Sequence, residues 1–137
     1  MIFYEVKVAY GKNAIAEYKK KANEVYLVEG ITCADAEQRV IEETAPYVSG
    51  DCEVPSCKRV QFYDLIPVAD GEFWYKARVE MITIDGEKET RKNVAVLVQA
   101  NLLDDAVFAL KQALKSYDCE LISIAKTPIM DILHAVK

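Results

Sequence analysis

The chain has 137 residues, 52% of them hydrophobic and 28% charged, with eight Tyr, four Phe, one Trp and a formal net charge of -5. That length predicts one domain whose core takes in about two-thirds of the unfolded surface, and the aromatic content excludes disorder as the main state. The acidic balance argues against a protein coated all over with nucleic acid, but it leaves room for a local basic face.

In chain order, "MIFYEVKVAYGK" at the N-terminus has no basic stretch followed by an apolar one. It therefore reads as a strand rather than a signal peptide. No apolar run approaches the ~20 residues that span a bilayer. The expectation is a cytoplasmic protein with no membrane partner, in which Cys33, Cys52, Cys57 and Cys119 stay as free thiols. "FYEVKVAY" alternates as a strand does, and "VYLVEG" reads as the second strand. Thr32 then suits the N-cap of a helix running to about Tyr47, with Ala36, Val40, Ile41 and Ala45 inward. Asp35 and Glu37 favour its positive N-terminal end. "CEVPSCKRVQFYDL" follows as a third strand, which Pro55 ends early or restricts to a sheet edge.

After residues 67–72 the same order returns. "WYKARVEMITI" and "VAVLVQA" read as strands joined at "DGEK", where Asp85-Gly86 suits a tight hairpin turn. Asn101 or Leu102 precedes a second helix, "LDDAVFALKQALKSY", with Ala106, Leu110 and Leu114 inward. "CELISIAKTPI" is the last strand, ended or pushed to an edge by Pro128.

The return is a repeat in the residues themselves. Phe3-Tyr4 meets Trp74-Tyr75, Lys7-Val8 meets Arg78-Val79, Leu27-Val28 meets Leu97-Val98, Asp35-Ala36 meets Asp105-Ala106, and Asp51-Cys52-Glu53 meets Asp118-Cys119-Glu120. The offset drifts from 71 to 70 to 67, so length changes fall in the connections. The expected fold is α+β: a tandem duplication of a ββαβ unit, with six strands and two helices about a pseudo-twofold axis. On this reading residues 1–137 form one domain of two repeats, 1–66 and 73–133, joined by 67–72.

"YLVEGITCADAEQRVIEETAPYVSGDCEV", "FWYKARVEMITID" and "TPIMDIL" together resemble a family of small proteins grouped as domain of unknown function 4494. The resemblance spans almost the whole chain. It implies a short, stand-alone intracellular protein of Bacteroidetes or of their phages and mobile elements. It implies no catalytic residue and no metal role for the cysteines.

The residues point the same way on chemistry. The one histidine, His134, lies near the C-terminus, so no second base is present for a nucleophilic triad. Glu42-Glu43 and Asp104-Asp105 are adjacent on helices and point about 100° apart, so neither pair converges on one substrate. Cys52 and Cys57 lack the paired knuckle spacing of structural zinc. The expectation is a non-enzymatic protein with no cofactor and no metal.

Two binding readings remain. Lys7 and Arg78 recur at equivalent repeat positions, and Lys58, Arg59, Arg91 and Lys92 lie on or beside strands. Lys19, Lys20 and Lys21 precede the second strand, and Tyr18 is among the aromatics interleaved with these charges. With Tyr4, Trp74 and Tyr75 as stacking groups, such a face would grip a single-stranded nucleic acid. The other reading is a protein–protein module, an adaptor, inhibitor or assembly component, that uses edge strands or its pseudo-symmetry and suits a homodimer.

Overall fold

A computed structural model describes residues 2–11, 21–44 and 52–134. The elements are β1 (Phe3–Gly11), β2 (Lys21–Glu29), α1 (Cys33–Thr44), β3 (Cys52–Val60), β4 (Asp64–Ile66), β5 (Phe73–Asp85), β6 (Lys88–Ala100), α2 (Leu103–Ala113), β7 (Cys119–Lys126) and β8 (Ile129–Leu133). This overturns the expected duplication of a ββαβ unit. The described residues are mostly β, with eight strands in two sheets and two helices. The sequence reading ran its third strand on to Leu65 and its last strand on to Ile129, with no separate strand at "DLI" or "IMDIL". Each is a strand of its own. Pro128, which has no N–H to donate to a ladder, lies between β7 and β8.

The short strands also change partners. The chain divides into two compact units, Met1–Gln61 with Pro128–Lys137, and Phe62–Thr127. In the first unit the sheet order is β3-β1-β2-β8, and in the second β4-β6-β5-β7. Strand β4 follows the first copy in sequence but runs parallel to β6, pairing Leu65 with Leu97. Strand β8 follows the second copy but runs parallel to β2, pairing Ile132 with Leu27. Each sheet is thus completed by a strand that the other copy delivers.

Within each unit the helix covers one sheet face, as the apolar spacing requires. Tyr4, Val6, Val8 and Val28 pack with Ala36 and Val40 in the first unit. Tyr75, Ala77, Val79, Val96 and Val98 pack with Ala106, Leu110 and Leu114 in the second. Ile41, expected inward, is exposed, and Thr44 is buried one turn beyond Val40, its hydroxyl donating to the Val40 carbonyl at 2.8 Å. Ala45 and Tyr47, expected to extend that helix, lie outside the described residues.

Local rules explain the turns and edges. Asp85 pairs with Lys88 across Gly86-Glu87, and Gly86 has φ of 65° while no other described residue has positive φ, the pattern of a type II′ hairpin. Pro55 lies on β3, an edge strand. The two long edge strands share a device: β3 carries an extra residue between Glu53 and Ser56, and β7 carries one, Ile122, between Leu121 and Ser123. Such bulges twist an edge away from further pairing.

Candidate functional site

The stacking groups of the nucleic-acid reading are in the core. Tyr4, Trp74 and Tyr75 are 6%, 5% and 5% exposed. Alternation sends Phe3 opposite to Tyr4 and Trp74 opposite to Tyr75, which puts one of each pair inward and leaves the other free to reach solvent. Neither does. Both sheet faces are buried here, for Phe3, Leu27 and Leu97 on the face away from the helix are buried too. The Tyr4 hydroxyl is spent on the Ile31 carbonyl at 3.1 Å.

The cations divide. Lys7, Lys58, Arg59, Arg78 and Lys92 are exposed on their strands, but Lys58 stands directly opposite Glu5 across β1 and β3. Arg91 is exposed but committed: it donates to Glu80 at 2.7 Å and lies 3.5 Å from Glu89 and 4.0 Å from Glu120. The Glu80 hydrogen bond and the Glu89 charge raise its already high pKa. Tyr18, Lys19 and Lys20 lie outside the described residues. His134 is exposed, 3.8 Å from Glu29 and edge-on to Phe3.

Two thiols meet where α1 begins. The Cys33 thiol donates to the Cys57 carbonyl at 3.6 Å, and the Cys57 thiol to the Cys33 carbonyl at 3.9 Å. Burial, then the hydrogen bond and charge of Cys33, push Cys57 up from 9.0 to about 12. Its thiolate is therefore scarce at neutral pH. Iodoacetamide at pH 8 is expected to modify Cys57 more than about tenfold more slowly in the folded chain than in urea, read by peptide mass spectrometry. Equal rates would mean that the thiol contact does not exist in solution. The linkage has one sign: a raised folded pKa stabilises below the unfolded value near 9 and is lost as pH climbs from there toward 12. Cys52, the other half of the zinc spacing considered above, has a side chain outside the described set.

The second unit carries a surface that sequence reasoning missed. At the start of α2, Leu102 is 64% and Phe108 is 65% exposed, and Leu103 and Val68 are exposed beside them. Of these, Val68 and Phe108 line a cavity of about 260 Å³, together with Asp70, Gly71, Gln99, Asn101, Asp105 and Ala109 among others. One wall is the 67–72 segment, fixed by two side-chain amides. Gln99 accepts from the Val68 N–H at 3.1 Å and donates to the Gly71 carbonyl at 2.7 Å. Asn101 accepts from the Glu72 N–H at 2.8 Å and donates to the Asp70 carbonyl at 2.9 Å. Gly71 has to be glycine, because a Cβ there would lie 2.7 Å from Gln99 Cγ and 2.9 Å from the Ala100 nitrogen. The wall is held rigidly.

The repeat supplies an internal control for this surface. At the helix offset of 70, Leu102 matches Thr32 and Phe108 matches Gln38. Thr32 caps α1, accepting from the Asp35 N–H at 3.1 Å, and Gln38 donates to Glu42 at 3.0 Å. Leu102 holds the N-cap position of α2 with no side-chain cap. A Leu that neither caps nor packs, and an exposed Phe where the other copy has Gln, are not what the fold requires.

At the other end of α2, the Tyr63 and Tyr117 rings meet edge-on at 6.4 Å. A second cavity, of about 230 Å³, is lined there by Val79, Leu110, Leu114, Leu121, Lys111, Lys115 and Tyr117, with Cys119. Among the described residues no group of three His, Cys, Asp or Glu is placed to hold a metal ion.

A family model described as "Domain of unknown function (DUF4494)" matches residues 2–135. No curated protein and no solved structure matches the chain.

Proposed function

The chain belongs to the DUF4494 family, and within that family we propose that it is a non-enzymatic binding module for another protein. The binding surface is the outer face of α2 from Leu102 to Phe108, together with the groove beside residues 67–72. The observation that carries this reading is the contrast between the copies: Leu102 and Phe108 are exposed where the first copy has Thr32 and Gln38. Exposed large apolar groups beside a groove favour a protein interface. The setting suggested by the sequence, a cytoplasmic protein of Bacteroidetes or their phages and mobile elements acting on a host protein, is part of the proposal. Pairing through the edges of β3 and β7 is disfavoured, because both carry bulges.

The nucleic-acid reading retains the exposed Lys7, Lys58, Arg59, Arg78 and Lys92 but none of its three chosen stacking groups. One comparison separates the two. The wild-type chain is used as bait, the retained protein is purified, and its affinity is measured for wild type, Phe108→Gln, and the double variant Lys7→Gln/Arg78→Gln. An aromatic anchor at an interface centre contributes about 2 kcal/mol or more, so Phe108→Gln is expected to weaken binding by at least about 30-fold. The double variant is expected to bind like wild type. If instead labelled oligo-dT binds with steep salt dependence, and the cation variant abolishes this while Phe108→Gln does not, the protein-binding reading is wrong.

A further inference from the structure

Three positions that line the groove beside α2 have equivalents in the first unit, and there one arginine joins them. Arg39 donates to the Glu29 carbonyl, and its guanidinium lies 3.6 Å from the Asp35 carboxylate. Asp35 also accepts from the Ile31 N–H at 3.1 Å. At the offset of 70 these three positions are Ala109, Gln99 and Asp105, and all three line the groove of the second unit. Strand registers agree, with Phe3 opposite Glu29 and Trp74 opposite Gln99. The second copy keeps the carboxylate and has lost the arginine.

A second substitution leaves Asp105 available. A Cβ on Gly30 would approach the Asp35 carboxylate oxygen at 3.1 Å, tighter than side chains normally sit. The second copy has Ala100 at that position, so a methyl group crowds the place where the carboxylate would turn back onto its own backbone. The Asp105 carboxylate makes no hydrogen bond or ion pair among the described residues, and neither does the Asp70 carboxylate, which also lines the groove. Residues 67–72 and 99–109 contain Asp70, Glu72, Asp104 and Asp105 and no Lys or Arg.

We infer that this groove receives an arginine side chain of a partner segment, in the place that Arg39 fills within the first unit. The guanidinium meets the Asp105 carboxylate, and its plane lies along the exposed Phe108 ring. Arginine suits such a site better than lysine, because its planar fork pairs with carboxylates and stacks on aromatic faces. The cavity of about 260 Å³ is below the range of about 300–1,000 Å³ usual for drug-sized ligands, and it fits one side chain rather than a free cofactor. The wall fixed by Gln99 and Asn101 needs no ordering on binding, which lowers the cost of association.

The inference rests on the protein-binding reading, but it is tested without the natural partner. The full chain, labelled with ¹⁵N, is titrated with N-acetyl-arginine amide and, separately, with N-acetyl-lysine amide, followed by amide shifts up to about 50 mM, well past millimolar affinity. Arginine amide is expected to move Gly71, Asp105 and Ala109, to leave Asp35 unmoved, and to bind severalfold more tightly than lysine amide. Asp105→Asn is expected to abolish the shifts. Ala109→Arg, which supplies the side chain from within, is expected to abolish them as well. No shifts at Asp105, equal response to the two amides, or full persistence in Asp105→Asn would each overturn the inference. A partner captured through Phe108 with no arginine-amide response leaves the binding module standing and removes the arginine site. The reverse result keeps the arginine site and removes the captured partner.

Discussion

A fragment spanning residues 62–127 is expected to unfold cooperatively, whereas one spanning 73–133, a whole repeat copy by sequence, is expected not to fold. The two differ by only five residues in length, since 62–127 has 66 and 73–133 has 61. The first fragment contains α2 and all four strands of its sheet, β4-β6-β5-β7. The second lacks β4 and the 67–72 wall, and carries β8, whose ladder partner β2 is absent. Without β4, the edge of β6 is opened beside Val96, Leu97 and Val98, which are fully buried in the chain. The four hydrogen bonds from Gln99 and Asn101 to the 67–72 backbone are lost as well, each worth about 1 kcal/mol net. Leu65 and Ile66 are partly buried, and full burial of such side chains is worth about 1.5–3 kcal/mol each. The sum rivals the whole stability of about 5 kcal/mol that a small domain usually has. Urea titration with Trp74 fluorescence and far-UV circular dichroism reads both fragments. Equal midpoints would show that β4 is dispensable and that the exchange of strands is incidental.

The same pair of short strands marks the limit of what the sequence discloses. The long alternating runs of β1, β2, β5 and β6 and the two amphipathic helices were legible, because each repeats an apolar period over many residues. Asp85-Gly86 named its turn, and Thr32 named its cap. "DLI" and "IMDIL" hold three and five residues, too few for a period to show, and their ladder partners lie in the other copy. No local signal carries that exchange. The same gap affects the site. Tyr4, Trp74 and Tyr75 were read as half-exposed because alternation fixes only that neighbours point to opposite faces. It does not say that both faces are buried. The groove beside α2 was legible in part: setting Gln38 against Phe108, Thr32 against Leu102 and Arg39 against Ala109 in the aligned copies shows three polar-to-apolar changes clustered on one helix. The Gln99 and Asn101 latches were not legible, because they reach 28 to 31 residues back along the chain to an irregular segment.

Replacing Leu102 by threonine is expected to stabilise the protein while weakening partner binding, a combination that separates function from fold. The backbone at Leu102 is already extended, with φ of -125° and ψ of 150°, the conformation an N-cap adopts. Its carbonyl accepts from the Ala106 N–H at 3.1 Å, as the Thr32 carbonyl accepts from Ala36 at 3.0 Å. Only the side-chain acceptor is missing. A threonine hydroxyl there can accept the Asp105 N–H as Thr32 accepts that of Asp35, a gain of about 0.5–2 kcal/mol. Little packing is lost, because the leucine is 64% exposed. For a chain of this size the gain corresponds to a rise in Tm of roughly 2–8 °C, measurable by calorimetry. Adding Phe108→Gln trades a modest helix former for a better one and restores the residue the first copy uses, so the double variant is expected to be at least as stable as Leu102→Thr alone. A protein that retains a leucine which leaves its helix N-terminus uncapped, and a mid-helix phenylalanine which exposes apolar surface, is paying for something other than folding. If the double variant is more stable and still holds the captured partner at wild-type affinity, that surface is not the interface. If it is less stable than wild type, Leu102 and Phe108 have a packing role that their exposure hides.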